Sequence, residues 1–94
     1  MTIINQVRVS NMTSRNGNTV PNQFVIDTPD GKYFQSYDSV IVFKAKGGKL
    51  FLDENKWDYS VTTGKYRNQF LGENKADTQK KINSGDYKLA NLNI

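Results

Sequence analysis

The hydrophobic pattern of the chain changes its period once, close to Trp57. Before this point, short apolar or alternating segments are separated by residues that favour tight turns, such as Asn16-Gly17 and Pro29-Asp30-Gly31. Alternation with a period of two is typical of strands, and Gly, Pro and Asn between such segments favour turns. The predicted strands run over residues 4–11, 23–27, 32–37, 40–43 and 50–52.

After Trp57 the period becomes helical. Tyr59, Thr63, Tyr66 and Phe70 are spaced four, three and four residues apart. This spacing places them on one face of a helix, so they are predicted to form its buried side.

Capping residues set the bounds of the later elements, because Ser favours the N-terminus of a helix and Gly its end. The first helix is predicted to follow Ser60 and to stop at Gly72, and the second to cover residues 76–83 and to end at Gly85; a last strand follows over residues 86–92.

The chain is therefore predicted to be a single α+β domain over residues 1–94. It combines an antiparallel sheet or partly open barrel of about five to six strands with two short helices between the last strands. Its length, 94 residues at 10.7 kDa, leaves room for one small core.

Composition removes several classes of function. The chain has no cysteine and no histidine, so it offers no Cys/His metal cage, thiol nucleophile, disulfide or imidazole base. The carboxylates are scattered and form no recognisable dyad. We therefore expect a protein that is not an enzyme, with no catalytic residues, metal site or cofactor.

Targeting signals are missing from the pattern as well. No apolar run approaches the about 20 residues that a membrane helix needs, and the first residues lack the apolar core of a signal peptide. The sequence predicts a cytoplasmic protein with no membrane partner.

Positive charge is concentrated in the second half. The net charge is +4, and residues 44–94 carry ten Lys or Arg against six Asp or Glu, whereas the charges of residues 1–43 cancel. A basic surface suits phosphate backbones or an acidic protein partner, although a solubilising surface is an equally good interpretation.

Aromatic and basic side chains supply the candidate binding residues. Tyr33 and Tyr37 lie four positions apart in a predicted strand. An even separation predicts that both project from one face, where they would stack on bases or anchor a partner. Lys46 lies in a hairpin loop. The alternative for the tyrosines is an ordinary strand end. Trp57 is interpreted as a core residue, with a binding anchor as the alternative.

The start of the first helix is a second candidate. Thr62-Thr63-Gly64-Lys65 and Arg67 combine hydroxyls and cations where free amides and the helix dipole favour phosphate or carboxylate. The glycine spacing of a P-loop is missing. The predicted partner-binding residues are thus Tyr33, Tyr37, Lys46, Lys65 and Arg67.

Several motifs together resemble a family of small accessory proteins of tailed phages and prophages of Gram-positive bacteria. They are Asn22-Gln23-Phe24, residues 33–39, Trp57-Asp58-Tyr59-Ser60, residues 62–66 and Phe70-Leu71-Gly72. The resemblance implies a protein made inside a bacterial cell, and no activity that transfers residue by residue. By analogy of context it implies an inhibitor of host machinery or immunity, of the anti-CRISPR kind.

The expected function is therefore a non-enzymatic protein that binds and blocks or modulates a host protein or nucleoprotein complex. The alternative is a weakly sequence-specific nucleic-acid-binding protein that uses the basic second half, and a further alternative is a phage structural or assembly protein. The sequence leaves the oligomeric state and the identity of the partner open.

Overall fold

The computed structural model describes residues 7–93 as six strands and two helices. The strands are β1 (Arg8–Thr13), β2 (Thr19–Thr28), β3 (Gly31–Ser36), β4 (Ser39–Ala45), β5 (Leu50–Asp53) and β6 (Tyr87–Ala90); the helices are α1 (Val61–Leu71) and α2 (Lys75–Ser84). The predicted α+β class is confirmed. Residues 4–6 of the first predicted strand lie outside the described residues.

The sheet keeps the order of the sequence, from β1 at one edge to β6 at the other. Strands β1 to β5 pair antiparallel through short turns, whereas β6 pairs parallel to β5. A parallel pair needs a crossover connection, and α1 and α2 provide it. The helices therefore lie between the last two strands, as predicted.

Both helix starts and stops follow the capping residues. The Thr63 amide donates a hydrogen bond to Ser60 Oγ over 3.1 Å, and Gly72 adopts the left-handed conformation at φ 71°. Gly85 ends α2 at φ 87°. Local chemistry alone fixes these bounds, since each cap satisfies backbone groups that the helix leaves unpaired.

The helices cover one face of the sheet. The Phe34 and Phe70 rings stack with their centroids 5.7 Å apart, and the Ser36 and Thr63 hydroxyls share a hydrogen bond of 2.8 Å between β3 and α1. The buried core contains Met12, Phe34, Ile41, Val42, Leu50, Leu52 and Tyr66. We call this side the helix face and the opposite side the outer face.

Strand β4 departs from the burial that its sequence predicts. A continuous apolar run is typical of a strand buried on both faces, but Val40 and Phe43 remain partly exposed. A bulge leaves Ile41 without a partner, since Gln35 pairs with Val40 and Phe34 with Val42. Ile41 and Val42 are both completely buried, so the run serves one covered face rather than two.

The predicted helix face also needs one correction. Thr63 and Tyr66 are buried and Phe70 packs against the core, but Tyr59 is 44% exposed. Tyr59 precedes the N-cap, so the helical period does not extend to it.

No helix among residues 7–93 is long and apolar enough to span a membrane.

Candidate functional site

The outer face carries a row of side chains that crosses the whole sheet. Cross-strand partners project from the same side of a sheet, and in β3 the side opposite the buried Phe34 belongs to Tyr33. Following the pairing from strand to strand gives the row Val9, Ile26, Tyr33, Phe43, Phe51 and Lys88. We call these six residues the outer row.

The outer row is open to solvent within the part of the chain that the structure describes. Val9 is 58% exposed, and Ile26, Tyr33, Phe43 and Phe51 are partly exposed. On the helix face, the central residues Phe34, Val42 and Leu52 are completely buried. Val25 is partly buried, and Ser10 and Leu89 at the two edges are exposed. The difference arises because α1 and α2 cover the helix face only.

The aromatic side chains of the outer row stack on one another. Tyr33 and Phe43 have ring centroids 4.5 Å apart and planes 22° apart, and Phe43 and Phe51 are 6.1 Å and 15° apart. The first separation is close to the about 4.8 Å between neighbouring strands and the second is somewhat longer, as expected of rings that stand side by side at paired positions across the sheet. Phe43 therefore has a neighbouring ring on each side.

A second row on the same face adds polar groups that already have partners. It consists of Asn11, Phe24, Gln35 and Val40. Asn11 Nδ2 donates to the Val20 carbonyl over 3.0 Å, and Gln35 Nε2 donates to the Tyr37 carbonyl over 2.7 Å. Across both rows Lys88 is the one charged residue, so the outer face is predominantly apolar.

The predicted binding residues do not gather at one place. Tyr33 belongs to the outer row, whereas Tyr37 lies in the turn after β3 at φ 56° and is 48% exposed. Lys46 lies in the turn after β4, at the opposite end of the sheet, where its amide donates to the Asp30 carbonyl. The expectation that Tyr33 and Tyr37 project together fails because the strand ends at Ser36 and the backbone turns at Tyr37.

Lys65 and Arg67 lie in the helix layer, away from the outer face. Lys65 is exposed, but Arg67 is only 1% exposed. Arg67 Nη1 donates to the Trp57 carbonyl over 2.7 Å and to Asp58 Oδ1 over 3.1 Å. Arg67 is therefore not exposed for direct contact with a large partner; its guanidinium joins the segment before α1 to the helix.

Trp57 completes that arrangement. Its ring packs against the core, as the core interpretation predicts, and the Arg67 guanidinium lies 5.1 Å from the ring centroid. A guanidinium over an aromatic face is a favourable contact. Trp57 is therefore a packing residue of the helix layer.

A cleft of about 710 Å³ opens beside the start of α1. Its cationic side chains are Arg15, Lys65, Arg67 and Lys75, and its carboxylate is Asp58. Lys75 Nζ lies 2.6 Å from Asp58 Oδ2. Two of the five residues predicted for binding, Lys65 and Arg67, thus share this second place.

Two carboxylates of the helix layer, Asp58 and Glu73, have lowered pKa values and are therefore ionised at neutral pH. Burial would raise the pKa of Asp58, but hydrogen bonds from Lys75 and Arg67 outweigh it and lower that pKa below 3.8. Burial would likewise raise the pKa of Glu73, but hydrogen bonds from Lys81, Thr78 and Tyr87 outweigh this effect and lower that pKa below 4.5. A general acid at neutral pH needs a raised pKa, so these two groups serve as ion-pair partners.

The residues of the outer row that sequence reasoning missed are Val9, Ile26, Phe43 and Phe51. Each was assigned to a strand, but its face and its partners depend on the register. The available signal was the alternation within β3, which sets Tyr33 against Phe34. The bulge in β4 hid the same signal there.

Comparison with known families gives one match. Residues 7–85 match a family of unknown function, DUF8033, and this span is most of the chain. The protein belongs to this family. No curated protein and no solved structure matches it. Five of the six outer-row residues and all residues of the cleft fall within the family span, whereas Lys88 and β6 follow it.

Proposed function

We propose that the protein is a non-catalytic binding module that docks its outer face onto an apolar surface of a partner protein. In doing so it blocks or modulates a protein or nucleoprotein complex of a bacterial host. The observation that carries this proposal is the outer row, a continuous line of cross-strand partners from Val9 to Lys88.

Its dimensions favour a macromolecular partner. Six strands at about 4.8 Å spacing make a row about 24 Å long. Contiguous exposed apolar patches of this extent mark interaction surfaces, and aromatic side chains are enriched among the residues that dominate binding energy.

The chemistry of the face favours a protein over stacked bases. A base needs a free aromatic face, whereas the Tyr33, Phe43 and Phe51 rings are already stacked. The amides of Asn11 and Gln35 have backbone partners, and aromatic rings beside aliphatic side chains suit a close-packed apolar contact.

The cellular context rests on the resemblance to phage and prophage accessory proteins. Membership in a family without assigned function is compatible with that context and adds no support to it. The resemblance makes a Gram-positive bacterium the natural source of the partner. A host-takeover inhibitor of the anti-CRISPR kind is the form of this proposal that we favour.

Direct nucleic-acid binding through the basic second half is the alternative. It predicts an affinity that falls steeply with salt, because each neutralised phosphate releases counterions. An assembly role predicts instead that the face meets a second copy and that the protein forms symmetric oligomers. Anisotropy titrations with DNA and RNA at two salt concentrations and sedimentation velocity over a concentration series separate both from the main proposal.

The decisive experiment compares variants in a capture assay. The immobilised protein is incubated with nuclease-treated lysate of a Gram-positive bacterium, and captured proteins are quantified. Val9→Lys places a charge on the outer row at a side chain that is 58% exposed, and Val61→Lys makes the same change at one that is 91% exposed on the helix. We expect stoichiometric capture by the wild type and by Val61→Lys, and capture at least about tenfold weaker by Val9→Lys.

Phe43→Ala provides a second test on the same face, with urea unfolding to verify that the variant is folded. Equal capture by the wild type, Val9→Lys and Phe43→Ala would contradict the proposal, as would the absence of any stoichiometric partner.

A further inference from the structure

The cleft beside α1 contains more positive than negative charge. It brings Arg15 from the β1–β2 turn together with Lys65 and Arg67 from α1 and Lys75 from the start of α2. Asp58 is the one carboxylate in its lining. Ser60, Asn68 and Gln69 add polar groups.

This single carboxylate is shared by two cations. Arg67 Nη1 lies 3.1 Å from Asp58 Oδ1, and Lys75 Nζ lies 2.6 Å from Asp58 Oδ2. Arg15 and Lys65 form no ion pair among the described residues 7–93. Asp58 therefore leaves most of the positive charge of the cleft without compensation.

Arg67 supplies an independent observation. The side chain is 1% exposed, lines the cleft, and has a buried Nε without a hydrogen-bond partner. Buried charges in proteins are ordinarily paired and fully hydrogen-bonded. Here Nη1 and Nη2 have hydrogen-bond partners, Nη2 donating to Asn68 Oδ1 over 2.8 Å, but Nε has none, and the guanidinium shares its one carboxylate with Lys75.

Gly64 leaves the floor of the cleft open. A Cβ at this position would lie 3.6 Å from Arg67 Nη2 and 3.8 Å from Asp58 Oδ1. The missing side chain thus leaves space beside the guanidinium, although the Gly64 amide itself already donates to the Ser60 carbonyl over 3.0 Å. Amides and the positive dipole end at a helix start favour an anion.

We propose that this cleft binds a phosphate-type oxyanion. Arg15 and Lys65 contact it from the rim, and the charge of Arg67 and the start of α1 attract it from the floor. A phosphate group fits this lining because its several oxygens accept hydrogen bonds from several donors at once. The site lies in the helix layer, so it does not depend on the outer face as a docking surface.

The test is a titration of the full chain with inorganic phosphate at constant ionic strength, followed by amide and Arg Nε chemical shifts. We expect saturable shifts centred on Gly64, Lys65 and Arg67, with half-saturation below about 10 mM. Lys65→Gln and Arg15→Gln are each expected to weaken binding at least about fivefold. Lys80→Gln removes the same charge from an exposed lysine of α2 outside the cleft and is expected to leave binding unchanged.

Gly64→Ala tests the floor separately. We expect it to weaken phosphate binding while the protein stays folded, since the added Cβ meets only ordinary van der Waals contacts in the free chain. A loss of binding with unchanged or higher stability supports the site. Phosphate binding that is retained in both single variants, Gly64→Ala and Lys65→Gln, would contradict the proposed site.

Two further arms identify the source of the phosphate group. A short oligothymidylate that displaces inorganic phosphate, with the same dependence on Arg15 and Lys65, identifies a nucleic-acid phosphodiester as ligand. Phosphate binding without such displacement identifies a free phosphate or a monoester. No saturable binding of either probe, equal binding of acetate, or an equal loss in Lys80→Gln would overturn the proposal.

Discussion

Arg67 illustrates how a residue takes its role from its surroundings. In the sequence it is one cation among ten in the basic half; in the structure its guanidinium is buried between the Trp57 ring and the Asp58 carboxylate. It lies four residues after the buried Thr63 and directly after the buried Tyr66, on the covered side of α1. The long side chain then reaches back along the helix to the segment before α1.

Gly64 gives the prediction at this scale. Gly64→Ala is expected to raise the free energy of unfolding by up to about 1 kcal/mol, because alanine favours a helix interior and restricts the unfolded chain. The space allows it, since the nearest atoms to the new Cβ are 3.6 Å or more away. Urea unfolding followed by circular dichroism measures the change.

Gly72 is the matched control for that substitution. Gly72→Ala also adds one methyl group in open space, but the residue has φ 71°. Alanine is strained in this region, so we expect a loss of about 1 kcal/mol. The same sign for both variants would show that backbone conformation does not decide the effect.

At the scale of elements, a polar cluster joins α2 to β6. Glu73 lies just before α2, and its side chain is 7% exposed. It accepts hydrogen bonds from Thr78 Oγ1 at 2.6 Å, Lys81 Nζ at 2.6 Å and Tyr87 Oη at 3.0 Å. One carboxylate thus holds two positions of the helix and the first residue of the last strand.

This cluster makes the free energy of unfolding depend on pH in the acidic range. Burial opposes ionisation of Glu73, but the hydrogen bonds from Lys81, Thr78 and Tyr87 outweigh it, so its folded pKa lies below the ordinary 4.5. A lowered folded pKa stabilises the protein above the unfolded value, and that contribution is lost as pH falls through the folded value. Asp58 contributes with the same sign.

Glu73→Gln should therefore reduce the free energy of unfolding at pH 7 by about 1–3 kcal/mol, since buried donors lose a charged acceptor. It should also flatten the fall in stability below about pH 4.5, with the remainder due to Asp58. Urea unfolding at several pH values checks both effects.

The control for Glu73→Gln is Asp77→Asn, the same acid-to-amide change at an exposed position in the first turn of α2. Only a helix-dipole contribution of about 0.3–1 kcal/mol is at stake there. An unchanged acid dependence in Glu73→Gln would show that the cluster does not control it.

At the scale of the whole molecule, the sequential strand order places β3 and β4 at the centre and β1 and β6 at the edges. Central strands have hydrogen-bonded neighbours on both sides, and β3 and β4 also supply the core residues Phe34, Ile41 and Val42. Edges have one neighbour, and Val9 and Leu89 there are about half exposed, at 58% and 46%. Stability is therefore expected to decrease from the centre outwards.

Hydrogen exchange measures this gradient. Paired amides of β3 and β4 should exchange only through global unfolding, whereas those of β1 and β6 should exchange through local opening with lower protection. Residue-resolved exchange under native conditions checks it. Equal protection of β1 and β4 would mean that the β1 edge is paired in solution.

Much of the fold was predictable because it depends on neighbours in the sequence. Ser60, Gly72 and Gly85 delimit the helices by satisfying or ending the local backbone, and Pro29-Asp30-Gly31 and the glycines after Lys46 place the turns. The alternation of Tyr33 and Phe34 assigned the two faces of β3. Each of these effects acts over a few residues, so a single sequence is enough to read it.

The candidate sites were less predictable because they depend on residues far apart in the chain. Strand register and the bulge at Ile41 align Tyr33, Phe43 and Phe51 in one row. Arg15 and Lys65 line one cleft only after the helices fold onto the sheet. The sequence alone determined the elements and their order, since capping, turn chemistry and periodicity are local. The tertiary structure decided that the outer face of the sheet remains uncovered and that Arg67 and Lys75 share the Asp58 carboxylate, because both follow from long-range packing.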